Sequence, residues 1–164
     1  MNKQDVVAVV LGGPSSEAEV SRRTGGAIAE ALREKGYNAV EVELVPEKLV
    51  EQLREIDAKV VFNAVHGMYG EDGRLQSILE AIKMPYTGSG VLASAVAMDK
   101  VATKRFLISA NISTPKCLMY NKRFDNDMAK IEKEIIATFG VPVVIKAADQ
   151  GSSIGVEIVK EEAD

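Results

Sequence analysis

The sequence is short of several residue types that particular kinds of site require. Cys117 is the only cysteine among 164 residues, so no disulfide can form within the chain and no zinc site can be built from cysteines. Tryptophan is absent and only 5% of residues are aromatic, so aliphatic side chains must fill the core. His66 is the only histidine, and one histidine beside loop acids matches no standard metal-ligand spacing.

An excess of positive charge and long apolar runs are also missing. The net charge is −4, with Lys and Arg dispersed among Asp and Glu, which argues against binding a nucleic-acid backbone. The apolar run Val6–Leu11 is too short to cross a membrane and lacks the cleavage pattern of a signal peptide. We therefore expect a cytoplasmic protein with neither a nucleic-acid nor a membrane partner.

Short β-branched runs alternate with segments of helical periodicity, a pattern that predicts an α/β fold with a parallel sheet flanked by helices. The run Val6–Leu11, ended by two glycines, predicts a strand buried on both faces. Further strands are predicted over 40–44, 59–65, 115–120, 141–146 and 156–159. Helices are predicted from a cap at Ser15 or Ser16 to Gly36, and over 46–56, 75–83, 92–110 and 128–139. A boundary near Ser113 would divide the chain into domains 1–112 and 113–164.

Two candidate ligand loops follow predicted strands, after Leu11 and after Val65. In parallel sheets, ligands bind at the carboxyl ends of the strands. The glycines and helix start of the first loop suit an anion, although the spacing fits neither a P-loop nor a dinucleotide fingerprint. Glu17 either holds a ligand's ammonium group or merely complements the helix dipole. His66, in a glycine-rich acidic loop, either faces a polar ligand or supports a tight turn.

Three later features could bind phosphate. Lys146 ends a predicted buried strand, and a buried lysine needs an anionic partner such as phosphate. Lys100 also lies beside apolar residues, but an exposed side chain is an equally good interpretation. The segment Gly151-Ser152-Ser153-Ile154-Gly155 either forms a nest of backbone amides for phosphate oxygens or is an ordinary hairpin turn.

Taken in order, the motifs of this chain resemble those of D-alanine–D-alanine ligases of the ATP-grasp superfamily. The series is L-G-G-x-S-x-E-x-E-V-S, H-G-x-x-G-E-D-G-x-L-Q, P-Y-T-G-S-G-x-x-A-S, M-D-K and V-I-K-x-x-x-x-G-S-S-x-G, and it covers nearly the whole chain. The resemblance implies a Rossmann-like pre-ATP-grasp domain, followed by the first part of an ATP-grasp domain.

The resemblance also implies roles for the candidate residues. Glu17 would hold the ammonium of the first D-alanine, with His66 beside it. Ser152 would belong to a catalytic hydrogen-bonded group with Glu17 and a tyrosine from a later loop. Lys100 and Lys146 would contact the ATP phosphates.

The loop with Gly151, Ser152 and Ser153 would close on the transferred phosphate. ATP would phosphorylate the carboxylate of one D-alanine, and the amine of a second would attack the acyl phosphate, for peptidoglycan precursor synthesis. Mg²⁺ or Mn²⁺ would bridge the nucleotide phosphates, with its ligands outside this chain. Ala147 departs from the family's usual proline, which questions the rigidity of the loop.

Several expectations accompany this assignment. The chain would be an incomplete piece that is inactive alone, and the full-length protein would be a homodimer. The alternatives are a D-alanine–D-lactate or D-alanine–D-serine ligase, whose discrimination depends largely on a later loop, and a non-catalytic module that binds D-alanine or nucleotide or serves an interaction.

Overall fold

The computed structural model describes residues 2–161. Contacts divide the chain into two compact units, Met1–Met98 and Asp99–Asp164. No helix in the described range 2–161 is long and apolar enough to cross a membrane.

The first unit is a three-stranded parallel sheet with helices. Its strands are β1 (Val6–Leu11), β2 (Asn38–Glu43) and β3 (Ala58–Asn63), in the order β2-β1-β3. Its helices are α1 (Ala18–Glu34), α2 (Leu49–Glu55), α3 (Arg74–Ala81) and α4 (Val91–Met98). The prediction of a parallel sheet flanked by helices is confirmed, and the carboxyl ends of all three strands lie at one edge.

Strand β1 is central because it is apolar on both faces. Ala8 and Val10 point into one core cluster, whose members include Leu49 and Leu75. Val9 points to the opposite face, in a second cluster with residues such as Ala29 of α1. Successive side chains of a strand alternate between faces, so a run that is apolar at every position needs cover on both sides.

The cap of helix α1 lies one or two residues after the predicted capping position. Its N-cap is Glu17, not Ser15 or Ser16, and the Glu17 side chain makes no capping hydrogen bond. The Ser15 hydroxyl instead accepts the Glu17 N–H at 3.0 Å, a local turn that serine favours. The Glu17 side chain therefore stands where the chain leaves the loop and enters the helix.

The second unit contains two helices and a hairpin. These are α5 (Lys100–Ser109), α6 (Met128–Phe139) and the antiparallel pair β4 (Val143–Lys146) and β5 (Val156–Val159). The predicted single helix over 92–110 is wrong, because the chain leaves helical geometry at Asp99. The Asp99 carboxylate accepts the Ala102 N–H at 2.9 Å and so caps a new helix.

The predicted strand over 115–120 is also wrong. The segment has no regular structure, and none of the strands found in residues 2–161 pairs with it. A strand exists only when a neighbour accepts its hydrogen bonds. Here the Pro115 carbonyl accepts a hydrogen bond from the Lys104 ammonium, and proline has no N–H to donate to a ladder.

The contact division falls after Met98, earlier than the predicted boundary near Ser113. Helix α5 accounts for the difference, because two of its lysines form hydrogen bonds with residues that follow it. The Lys100 N–H donates to the Ala148 carbonyl at 2.9 Å, and Lys104 bonds to Pro115. The assignment of functional domains to 1–112 and 113–164 stays a prediction.

Candidate functional site

A buried serine joins the carboxyl ends of β1 and β3. Ser21, in α1, is fully buried. Its hydroxyl accepts the Gly12 N–H at 2.8 Å and donates to the Ala64 carbonyl at 2.7 Å. Gly12 follows β1 directly and Ala64 follows β3 directly. The two loops that carry Glu17 and His66 are therefore held together from within the first unit.

The Glu17 carboxylate lies against the residue that follows His66. A Cβ atom placed on Gly67 would lie 2.6 Å from Glu17 Oε2 and 2.9 Å from Ser15 Oγ. Gly67 also has φ of +68°, so both its conformation and its surroundings exclude a side chain. The structure thus brings the loop of Glu17 and the loop of His66 into direct contact.

The His66 imidazole lies between a hydroxyl and a carboxylate. Its Nε2 is 3.3 Å from Thr24 Oγ1, and its Nδ1 is 4.0 Å from Glu71 Oε1. Glu71 also accepts the Gly67 N–H at 3.0 Å, which fixes the carboxylate beside the ring. The imidazole side chain remains 34% exposed, so a ligand can reach it.

The loop after His66 is organised around one backbone carbonyl. The Gly70 oxygen accepts hydrogen bonds from Asn63 Nδ2 at 2.8 Å and Gln76 Nε2 at 2.7 Å. A Cβ on Gly70 would lie 2.1 Å from the Val65 carbonyl oxygen, so only glycine fits. These contacts explain why a polar, glycine-rich loop can hold a defined shape beside the sheet.

A cavity of about 390 Å³ opens beside His66, inside the first unit. Its lining surface is mainly apolar, but polar side chains also reach it, from Thr24, Asn63, His66, Glu71, Gln76, Thr87, Ser89 and Ser94. Such a lining offers donors and acceptors to a small polar molecule. Nowhere in residues 2–161 do three or more His, Cys, Asp or Glu side chains form a group able to hold a metal ion.

Strand β2 supports the glycine loop from its other side. Glu43 accepts the Gly13 N–H at 3.2 Å and pairs with Arg22 of α1 through two hydrogen bonds, of 2.7 and 3.1 Å. The Arg22 guanidinium, helped by the Gly13 N–H, holds the pKa of the Glu43 carboxyl below its usual value. Ionised Glu43 therefore ties β2, the loop and α1 together.

Replacing Glu43 should reduce stability in a pH-dependent way. Folding lowers the pKa of Glu43. Its contribution to folding stability is therefore fully present above the unfolded pKa of about 4.3, and it is lost as the pH falls through the folded pKa. We expect Glu43→Gln to lower Tm at about pH 7, and we expect the Tm values of the variant and the parent to converge towards about pH 3. Thermal unfolding across this range, with Glu47→Gln as an exposed control of equal charge change, measures the effect. A Tm difference that does not change with pH would contradict it.

In the second unit, Lys100 lies beside the loop that joins β4 to β5. Its Nζ donates to the Gln150 carbonyl at 2.6 Å, and its backbone N–H donates to the Ala148 carbonyl. The predicted nucleotide-binding residues Lys100, Gly151, Ser152 and Ser153 therefore occupy one region of this unit. An ammonium has three N–H donors, so the bond to Gln150 leaves two for another acceptor.

The glycine-serine segment is a tight turn with exposed hydroxyls. The Gly151 carbonyl accepts the Ile154 N–H at 3.2 Å, and Ser152 has φ of +53°. Both Ser152 and Ser153 are exposed. Ala147 adds a contact that proline could not make, because its N–H donates to the Gly155 carbonyl at 2.8 Å. That bond extends the hairpin beyond Lys146 and restrains the loop.

Lys146 does not have the burial expected from its strand. Strand β4 is exposed at Val144, Ile145 and Lys146, so the prediction of a buried lysine is wrong. The apolar sequence of β4 predicts a strand that is packed on both faces. Within residues 2–161, however, β4 belongs to a sheet of two strands and pairs only with β5. Contact of Lys146 with ATP phosphates stays a prediction.

Comparison with known proteins agrees with the motif series. The family model for the D-Ala–D-Ala ligase N-terminus matches residues 43–89, and the model for the C-terminus of the same enzyme matches residues 106–164. The chain is 47% identical over 159 residues to a D-alanine–D-alanine ligase of Moorella thermoacetica, covering 96% of this chain. The chain belongs to the D-alanine–D-alanine ligase family. It spans about half the length of the curated relatives it matches, 51% in the Moorella case.

Solved structures of this family have the same fold. The D-alanine–D-alanine ligase of Bacillus anthracis complexed with ATP is 33% identical, with a TM-score of 0.80 over 97% of this chain and 51% of that one. The VanG D-Ala:D-Ser ligase of Enterococcus faecalis is 28% identical, with a TM-score of 0.73 over 96% of this chain and 56% of that one.

Several residues that shape the site of this family member have no role that the sequence alone predicts. These are Ser21, Thr24, Glu43, Asn63, Glu71 and Gln76. One signal was available: Ser21 occupies the buried stripe of α1 with Gly25 and Ala29, where a polar side chain must find partners. The partners themselves are 9 and 43 residues away, a distance that local patterns do not encode.

Proposed function

We propose that the protein carrying this chain joins two D-alanines at the expense of ATP, through an acyl phosphate. The observation that carries the proposal is the contact between Glu17 and the His66–Gly67 loop, in a chain nearly half identical to a D-alanine–D-alanine ligase. A carboxylate and an imidazole at the carboxyl edge of the sheet provide a binding site for an amino acid.

The first unit would hold the first D-alanine. The Glu17 carboxylate accepts hydrogen bonds from the substrate's ammonium group, and a hydrogen bond to a charged group contributes about 1.5–3 kcal/mol. His66, oriented by Thr24 and Glu71, lies on the neighbouring loop. The ammonium is thereby fixed, which leaves the substrate's carboxylate to be presented to the nucleotide.

The second unit would bind the ATP phosphates. Phosphoryl transfer depends mainly on positioning and on neutralising charge. Lys100 supplies positive charge beside the turn that carries Ser152 and Ser153, whose hydroxyls are exposed. The terminal phosphoryl group moves to the D-alanine carboxylate, the amine of the second D-alanine attacks that carbonyl carbon, and inorganic phosphate leaves.

Magnesium is expected for ATP chemistry of this kind, but the described residues do not fit it. No suitable group of acidic side chains occurs within residues 2–161, so we assign no step to the metal through this chain. A cytoplasmic location and a homodimer remain predictions of the same assignment.

Phosphate release tests the proposal. The protein that carries this chain should release phosphate from ATP, in buffer with magnesium chloride, only when D-alanine is present, and should form the dipeptide in equal amount. Residues 1–164 alone should show no turnover, because the relatives that perform the reaction are about twice as long. Absence of dipeptide from the whole protein would refute the proposal.

The likeness to a D-Ala:D-Ser ligase supports a second candidate, a ligase that accepts a different second substrate. Competition of D-alanine with D-serine and D-lactate in the same assay decides between them, since the mass of the product identifies the second substrate. A non-catalytic module would bind D-alanine or ATP but form no dipeptide. Titration calorimetry on the whole protein would detect that binding.

A further inference from the structure

Ser21 is a polar residue in a position where packing alone would favour alanine. It lies one turn before Gly25 and two before Ala29 in the buried stripe of α1, and none of its surface is exposed. A buried hydroxyl is unfavourable unless its hydrogen bonds are satisfied. The partners of this hydroxyl therefore explain why serine is tolerated there.

Those partners are parts of the candidate site. The Ser21 hydroxyl bonds to Gly12 at the start of the glycine loop and to Ala64, two residues before His66. The Ser21 N–H donates to the Glu17 carbonyl at 3.0 Å. One residue thus connects the glycine loop, the backbone of Glu17 and the segment that leads into the His66 loop.

We propose that Ser21 is a positioning residue that sets the separation between the Glu17 carboxylate and the His66–Gly67 loop, and through it the affinity for the ammonium-bearing substrate. The inference rests on the proposed function. Because Ser21 is fully buried, it acts without touching the substrate.

The contact that Ser21 supports leaves little room for movement. The Glu17 carboxylate lies so near Gly67 that a single added carbon would overlap it. If the Ser21 bonds are lost, the Gly12 N–H and the Ala64 carbonyl must find other partners, and the two loops are free to separate. Separation would weaken capture of the amino acid while leaving the residues of the second unit unaltered.

The test is steady-state kinetics of Ser21 variants in the protein that carries this chain. We expect Ser21→Ala to raise the KM for the first D-alanine about tenfold, with kcat and the KM for ATP within about twofold. Ser21→Cys, which fills the space of the hydroxyl but forms weak hydrogen bonds, should behave similarly and guards against a cavity as the cause. Ala29→Gly, also buried in α1, should lower Tm without changing the KM for D-alanine.

Hydrogen exchange of the Gly12 amide supplies a readout that is independent of turnover. Exchange should become faster in both Ser21 variants and remain at the parent rate in Ala29→Gly. Unchanged exchange and unchanged KM would overturn the positioning role, as would an equal rise in KM for Ala29→Gly. A parent protein that forms no dipeptide refutes the ligase proposal instead, and the proposed effect on substrate affinity falls with it.

Discussion

Glu17→Gln should raise the KM for the first D-alanine about tenfold to a hundredfold in the protein that carries this chain. The substitution keeps the shape of the side chain but removes the charge, and a charge-assisted hydrogen bond contributes about 1.5–3 kcal/mol. The KM for ATP should change little, because the residues proposed to bind phosphate belong to the second unit. Initial rates at saturating ATP, with D-alanine varied, measure the effect.

A matched control lies two residues away, in the first turn of α1. Glu19→Gln removes the same charge from a side chain that is 79% exposed and whose nearest cation, Arg22, is 3.5 Å away. Its KM for D-alanine should stay close to that of the parent, because exposed ion pairs contribute little. Equal effects of the two substitutions would show that net charge matters rather than the position of Glu17, and an unchanged KM in Glu17→Gln would remove its assigned role.

Gly70→Ala should destabilise the first unit severely. The added Cβ would lie 2.1 Å from the Val65 carbonyl oxygen and 2.5 Å from its carbon. Both are backbone atoms at the end of the sheet, so neither can move without displacing the loop. We expect a loss of about 3 kcal/mol or more in the free energy of unfolding, at the upper end of overpacking effects, measured by denaturant titration.

Gly26→Ala provides the control, because it adds the same methyl group where there is space. Among residues 2–161, no atom apart from the adjacent residues and the backbone of the helix itself lies within 4 Å of a Cβ at Gly26, and the residue is inside α1. Alanine is favoured over glycine in a helix by roughly 0.5–1 kcal/mol, so this variant should be slightly more stable than the parent. A Gly70→Ala protein as stable as Gly26→Ala would show that the His66 loop is not packed as described.

Strand β1 shows how much of the fold could be predicted. Six consecutive apolar residues ended by glycines required a strand covered on both sides, and the structure has that strand between two parallel neighbours. The hairpin strand β5 and helix α6 also have the predicted limits. In each case the information is local, because periodicity and chain-breaking residues act on immediate neighbours.

The predictions that are wrong fail because they concern features that local patterns do not determine. The apolar pattern over 92–110 gives no sign of the break at Asp99, where the backbone is extended and the carboxylate accepts the Ala102 N–H of a new helix. The segment 115–120 has the composition of a strand but no neighbour to pair with among residues 2–161. The apolar pattern of β4 predicts a buried Lys146 at its end. Whether such a strand is buried depends on what packs against it, which the pattern of the strand does not contain.

By itself, the sequence determined the parallel sheet, the loops at its carboxyl edge and the motif series of the D-alanine–D-alanine ligase family. Only the tertiary structure decided that Ser21 joins the two loops, that Glu17 lies against Gly67 and that Gly70 admits no side chain. The physical reason is separation along the chain. Propensity and periodicity act over a few residues, whereas these contacts join atoms up to 50 positions apart and exist only once the sheet has formed.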